Sequence, residues 1–246
     1  MSYAILGGFR PSRALAWILS GVLFLAIVVC SPLDLLARQY LFTAEAVEQV
    51  LIGLVVAHLL VRGTPEKAVR RLRVDRLPLS PYFTWVAGAI ALSVWYIPRL
   101  LNATLDSDAV RCVQYLTLLV GGALFWWPLH SPIQKQRIPL VPHTLLYLAA
   151  AAVWCSLIGL FIAFGQTWSS AHYLTSPDVL NIADSLVYDW GLTRETDQET
   201  AGLVFWISAG TILLTKVMFV YYRWYCSAEV EGHFRASVGT IAVAEK

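Results

Sequence analysis

Apolar runs of near-membrane length recur along the chain, and they restrict its fold more than any other feature. They cover residues 14–30, 45–62, 82–97, 110–129, 144–165 and 201–221. As a helix, the stretch 14–30 reaches about 25 Å, enough with its flanks to cross a hydrocarbon core. Charged residues make up 14% of the chain, against about 25% in an ordinary soluble domain, and ten tryptophans accompany them. The expected fold is therefore all-α: one polytopic transmembrane helical bundle, residues 1–246, with about six spans. No small-residue cleavage site follows the first run, so it reads as a retained span, not a removable signal. A net charge of +2 gives no argument for nucleic acid as a partner.

Charge placement orients the bundle. Residues 62–78, RGTPEKAVRRLRVDRLP, carry six basic side chains against Glu66 and Asp75. Short positive loops stay cytoplasmic. With that loop inside, both termini are cytoplasmic. Thirteen Lys and Arg then lie inside (10, 13, 62, 67, 70, 71, 73, 76, 135, 137, 223, 235, 246). Four lie outside (Arg38, Arg99, Arg111, Arg194), and Lys216 sits within the last span. The loop 166–200 is acidic and outer, and the tail 222–246 is cytoplasmic. The expected location is a bacterial-type inner (cytoplasmic) membrane, multi-pass. Arg70, Arg71 and Arg73 either contact anionic lipid or a partner or serve topology alone. Trp126 and Trp127 are expected in an interfacial aromatic belt, at lipid or a partner. Residues 34–40 read as a short interfacial amphipathic helix. Lys216 is expected to snorkel to the inner boundary.

Polar residues in such runs need a reason, because a carboxylate at mid-membrane costs roughly 2.5–3.5 kcal/mol. The second run opens with Glu45, Glu48 and Gln49. Glu45 and Gln49 are spaced i, i+4 and share a helix face, with Glu48 beside them. The alternatives are a cluster shared with other helices and a solvated cap in the headgroup region. The topology brings Tyr96, Cys112, Tyr115 and Asp197 to the same outer depth. A structural cluster of Glu45, Gln49, Tyr115 and Asp197 would tolerate Glu45→Gln, because an amide keeps an acceptor.

Other chemistry finds little support. Four cysteines show no CxxC spacing. Cys30 and Cys112 fall near the outer face, either as a thiol pair or as unrelated interfacial thiols. His58, His130 and His143 fall toward the inner side, where solvated histidines compete with an inner metal site. No Ser-His-Asp or HExxH arrangement, Walker loop or dinucleotide fingerprint is present, so no enzyme is expected.

Four segments in order carry a resemblance. FTAEAVEQVLIGLVVAHLLVRGTP (42–65), VWYIP (94–98), VQYLTLLVGGALFWWP (113–128) and TDQETAGLVFW (196–206) are similar to FTAHMxQHLLL…PPLLxLGxP, LWHLP, EHLxFLxxGLLFWWP and EDQxxGGLxMW. These are the motifs of the CtaG-like cytochrome c oxidase assembly factors. The resemblance implies a membrane factor that helps deliver copper to a haem-copper oxidase catalytic subunit. It also places family histidines at Glu45, Gln49, Tyr96 and Tyr115, while Asp197 matches. Carboxylate, amide and phenol are poor Cu(I) donors, so no tightly bound cofactor is expected even though copper is implied. Two functions remain: assembly of, and copper delivery to, a haem-copper cytochrome c oxidase, or a metal-free accessory subunit in a respiratory or photosynthetic electron-transfer complex. Expected partners are membrane lipids and other membrane subunits, the oxidase catalytic subunit among them.

Overall fold

The computed structural model describes residues 13–71, 73, 74, 77, 79–131, 138, 141–165 and 178–244, with side chains described through residue 226. Arg10, Asp75, Arg76, Lys135, Arg137 and His172 lie outside the described residues. Among the described residues every regular element is a helix and there is no strand. Helices are the natural solution, since a membrane offers no water to satisfy backbone polar groups. Five helices are long and apolar enough to cross a membrane, and a bent pair brings the number to six. The chain is a multi-pass membrane protein.

Helix α1 (Arg13–Cys30) is followed by α2 (Pro32–Gln39). Ser31 caps α2, its hydroxyl accepting from Leu33 N–H at 3.2 Å, and Pro32 takes the first helical position. The second span runs continuously from α3 (Phe42–Val50) through a π-helical segment (Leu51–Val56) into α4 (Ala57–Gly63). This span is the hub of the bundle. Two thirds of it is buried, and it packs on α1, α2 and the helices Asp108–His130 and Arg194–Ala244.

After α5 (Glu66–Arg71) comes α6 (Pro81–Ser93), one 3₁₀ turn (Val94–Tyr96), and α7 (Pro98–Asp106). The axes of α6 and α7 meet at 71°. Pro98 explains the break, because it drives Ile97 to an extended conformation (φ −73°, ψ 124°). The stretch between the apolar runs 82–97 and 110–129 belongs to neither expected span. There α7 is an amphipathic helix that buries Leu101 and Thr104 and presents Asn102 and Asp106 away from the core.

Helices α8 (Asp108–His130) and α9 (Val141–Phe164) follow. The segment between α9 and the last helix contains α10 (Ala183–Tyr188), which buries Leu186. Its start is tied to the bundle. Asp178 accepts from Tyr40 O–H (2.8 Å) and from the backbone N–H of Ile182 (3.1 Å) and Ala183 (3.2 Å). Partial desolvation would raise the Asp178 pKa, but these bonds outweigh it and hold the carboxyl below its ordinary value. Their contribution is present above the ordinary carboxylate range. It is lost as pH falls through the lowered folded value.

Helix α11 (Arg194–Ala244) ends the described chain, with its apolar span at Arg194–Cys226. The tail expected from residue 222 thus continues as helix. Helices α9 and α11 approach closely through Gly159 and Gly202, each facing the other's carbonyl.

Orientation gives the first prediction. In intact cells, a membrane-impermeant thiol reagent is expected to label a cysteine placed at Ser185, in α10, and to miss one at Ser237. The reverse pattern would invert the bundle.

Candidate functional site

Three helices build a buried polar centre near the start of the hub span. Helix α3 supplies Glu45, Glu48 and Gln49. Helix α8 supplies Arg111, Gln114 and Tyr115, spaced i, i+3, i+4 and so on one face. Helix α2 supplies Asp34 and Arg38. Arg111, Glu45 and Glu48 are at most 1% exposed.

The Arg111 guanidinium organises the cluster. Its Nη1 donates to Glu45 Oε2 at 3.0 Å and its Nη2 to Glu48 Oε2 at 2.5 Å. Its Nε donates to Asp34 Oδ1 at 3.1 Å and to the Tyr115 hydroxyl oxygen at 2.7 Å. Glu45 Oε1 accepts from both amides, Gln49 Nε2 at 3.0 Å and Gln114 Nε2 at 2.7 Å. Tyr115 O–H lies 2.6 Å from Glu48 Oε1 and 2.8 Å from Asp34 Oδ1. A phenol has one proton, so these two carboxylates compete for it. At the rim, Arg38 pairs with Asp34 (3.0 Å) and with exposed Asp108. Short charge-assisted bonds of this kind offset the cost of desolvating the ions.

Four of the anticipated residues therefore meet: Glu45, Glu48, Gln49 and Tyr115. The other two stand beside them. Asp197 caps α3 from a different helix. Its carboxylate accepts from Phe42 N–H (2.7 Å), Thr43 N–H (3.1 Å) and the Thr43 hydroxyl (2.6 Å). The local cap position is Leu41, whose side chain cannot accept, so the last helix supplies the oxygen that α3 lacks. Tyr96 is buried edge-on between the Phe42 and Phe205 rings, at 6.3 and 5.3 Å. Its hydroxyl, with the amide oxygens of Gln49 and Gln114, has no hydrogen-bond partner among the described residues.

Asp197→Ala is expected to cost about 0.5–2 kcal/mol, the range for a lost helix cap, whereas Asp197→Asn is expected to lose only part of it, because its amide oxygen still accepts from one of the Phe42 and Thr43 N–H groups while its NH2 meets the other. Thermal unfolding in detergent measures the difference.

Other anticipated residues lie elsewhere. Cys30 and Cys112 are exposed free thiols. Arg70 pairs with Glu66 at 2.6 Å, and Arg71 and Arg73 are exposed. Trp126 and Trp127 are not at a lipid-facing belt. They are 1% and 8% exposed, and Trp126 Nε1 donates to Leu54 O in the π-helical segment at 2.9 Å. Their face of α8 turns inward, against the hub, so burial outweighs the interfacial preference of indole. Lys216 is half-buried, and its Nζ lies 3.0 Å from Nε2 of His130, the last residue of α8.

Sequence reasoning counted Arg111 as an outer-loop charge and did not select Asp34 or Gln114. The available signal was the spacing Arg111-x-x-Gln114-Tyr115, an arginine on the face already chosen for Tyr115.

The donors fit copper poorly. They are carboxylate oxygens, amides and a phenol, and a fixed guanidinium already binds the two buried carboxylates. Among the described residues no three His, Cys, Asp or Glu side chains are grouped to hold a metal ion. A family model described as cytochrome c oxidase caa3 assembly factor (Caa3_CtaG) matches residues 5–227. No curated protein and no solved structure matches the chain.

Proposed function

The chain belongs to the family of cytochrome c oxidase caa3 assembly factors, and from that premise we propose that it acts non-catalytically on the catalytic subunit of a haem-copper oxidase in a bacterial inner membrane. Its outer polar centre fixes the shape of the docking end and does not hold copper. One observation carries this reading: the Arg111 guanidinium is the ion between Glu45 and Glu48, at 3.0 and 2.5 Å. Three positions where the resemblance places histidines or their neighbours, Glu45, Gln49 and Tyr115, converge here. The sequence thus keeps the convergence of those positions while exchanging metal donors for an internal ion-pair network. Copper delivery, the finer role implied by the resemblance, would have to use donors outside this cluster.

Two measurements test the proposal. Cells lacking the protein are expected to lose assembled, active oxidase, and wild-type chain supplied in trans restores it. Unchanged oxidase in those cells would refute the assembly role. The purified protein is expected to carry far less than stoichiometric copper. Stoichiometric copper surviving a mild chelator would refute the metal-free reading and direct attention to Cys30 and Cys112.

A further inference from the structure

We propose that the opposite end of the bundle is a binding site for one anionic glycerophospholipid, with its phosphodiester headgroup in a basic cavity and an acyl chain in the apolar cavity beside it. The inference is independent of the oxidase role. A cavity of about 460 Å³ opens among α4, α8, α9 and α11, lined by Arg62, His130, Thr144, Lys216, Arg223 and Trp224. Among the described residues no acidic side chain lines it. Lys216 and Arg223 are spaced i, i+7, so they share a face of α11 about 10 Å apart along its axis. Arg62 lines the same space from the end of the hub span, with its guanidinium over the Trp17 ring at 4.1 Å.

Among the described residues none of these three cations is in an ion pair. The contrast with the other end is direct, since Arg111 is matched there by carboxylates on neighbouring helices. Lys216 is half-buried within a span, and its ammonium is turned toward His130 and the Trp126 and Phe219 rings (5.9 and 5.8 Å to the centroids). Three cations around one cavity, with no carboxylate among its described lining, call for an anion, because uncompensated charge at membrane depth is costly.

Chemistry and shape select the anion. Two guanidiniums and an ammonium suit a phosphate, whose oxygens accept from an arginine fork. A second cavity of about 250 Å³ shares Arg62, Lys216 and Phe219 with the first and continues among Leu54, Val55 and Ile212. Free phosphate has no use for that apolar extension, whereas an acyl chain does. By the charge asymmetry this end faces the cytoplasmic leaflet, where basic pockets between membrane helices meet anionic headgroups.

The test uses the full chain purified in detergent and its thermal midpoint during lipid titration. Phosphatidylglycerol is expected to raise the midpoint saturably, and phosphatidylcholine and inorganic phosphate are not. Lys216→Gln and Arg223→Gln are each expected to weaken the apparent phosphatidylglycerol affinity about fivefold. Arg99→Gln, an exposed cation at the other end, leaves it unchanged. Equal shifts from the two lipids, or wild-type affinity in both cavity variants, would overturn the site. An equal shift from inorganic phosphate alone would overturn the lipid and leave a free-anion pocket. Because Arg223 is exposed, its variant carries the test if Lys216→Gln does not fold.

Discussion

Arg111→Met is expected to destabilise the protein by about 3–5 kcal/mol, enough to abolish most folded material. Removing the guanidinium leaves Glu45 and Glu48 as buried charges without their counter-ion, and breaking one side of a buried pair carries a cost of that size. Arg111→Lys is expected to fall in between. An ammonium keeps the charge but cannot reach Glu45, Glu48, Asp34 and Tyr115 together, because the planar fork that spans them is lost. Glu45→Gln is also expected to cost about 1–3 kcal/mol, contrary to the mild effect that sequence reasoning anticipates. Arg111 Nη1, Gln49 Nε2 and Gln114 Nε2 all donate to the two Glu45 oxygens, so an amide would set a donor against donors. Thermal unfolding in detergent, with membrane yield as a second readout, measures all three. A wild-type midpoint for Arg111→Met would dismiss the network as a source of stability.

Gly122→Ala is the second large effect. A Cβ at this position would lie 2.0 Å from the Gly53 carbonyl oxygen and 2.7 Å from Ala57 Cβ. The nearest obstacle is backbone, which cannot turn aside as a flexible side chain can. Helix α8 must therefore move off the hub span, loosening the Trp126–Leu54 hydrogen bond one turn away. Overpacking of this kind costs about 1–3 kcal/mol, and the upper part of that range is expected because the whole helix shifts. Gly210→Ala provides the control. Nothing lies within 4 Å of its Cβ position, so it is expected to be within about 0.5 kcal/mol of wild type or slightly stabilising. Similar losses from both variants would refute close approach at Gly122 as the cause.

These two positions show the limits of what can be read from the chain. Small residues such as Gly121 and Gly122 admit a neighbouring helix wherever they stand, and the structure makes the neighbours specific: Ala91 of α6 for one, Gly53 of the hub for the other. Arg111 was legible only as a charge near the outer boundary. Its position near the start of α8 fits a loop-facing arginine equally well. What distinguishes the two is the rotation of α8 about its axis, which turns Arg111, Gln114 and Leu118 toward the hub span and leaves Cys112, Val113 and Leu116 exposed. That rotation follows from packing at Gly121 and Gly122, three turns further along.

The sequence by itself determined the membrane class, the approximate spans and the depth at which Glu45, Glu48, Gln49, Tyr96, Tyr115 and Asp197 lie. Each depends on local composition or on position along a helix of known rise. Only the tertiary structure decided how those residues divide. Glu45, Glu48, Gln49 and Tyr115 join Arg111, Asp197 caps α3 in place of Leu41, and Tyr96 packs between two phenyl rings. It also placed Trp126 inside the bundle, bent the third span at Ile97 and gathered Arg62, Lys216 and Arg223 around one cavity. Depth is a one-dimensional property that hydropathy records. Partnership depends on which helices are neighbours and which faces they turn to one another, and that is fixed by contacts between residues far apart in the chain.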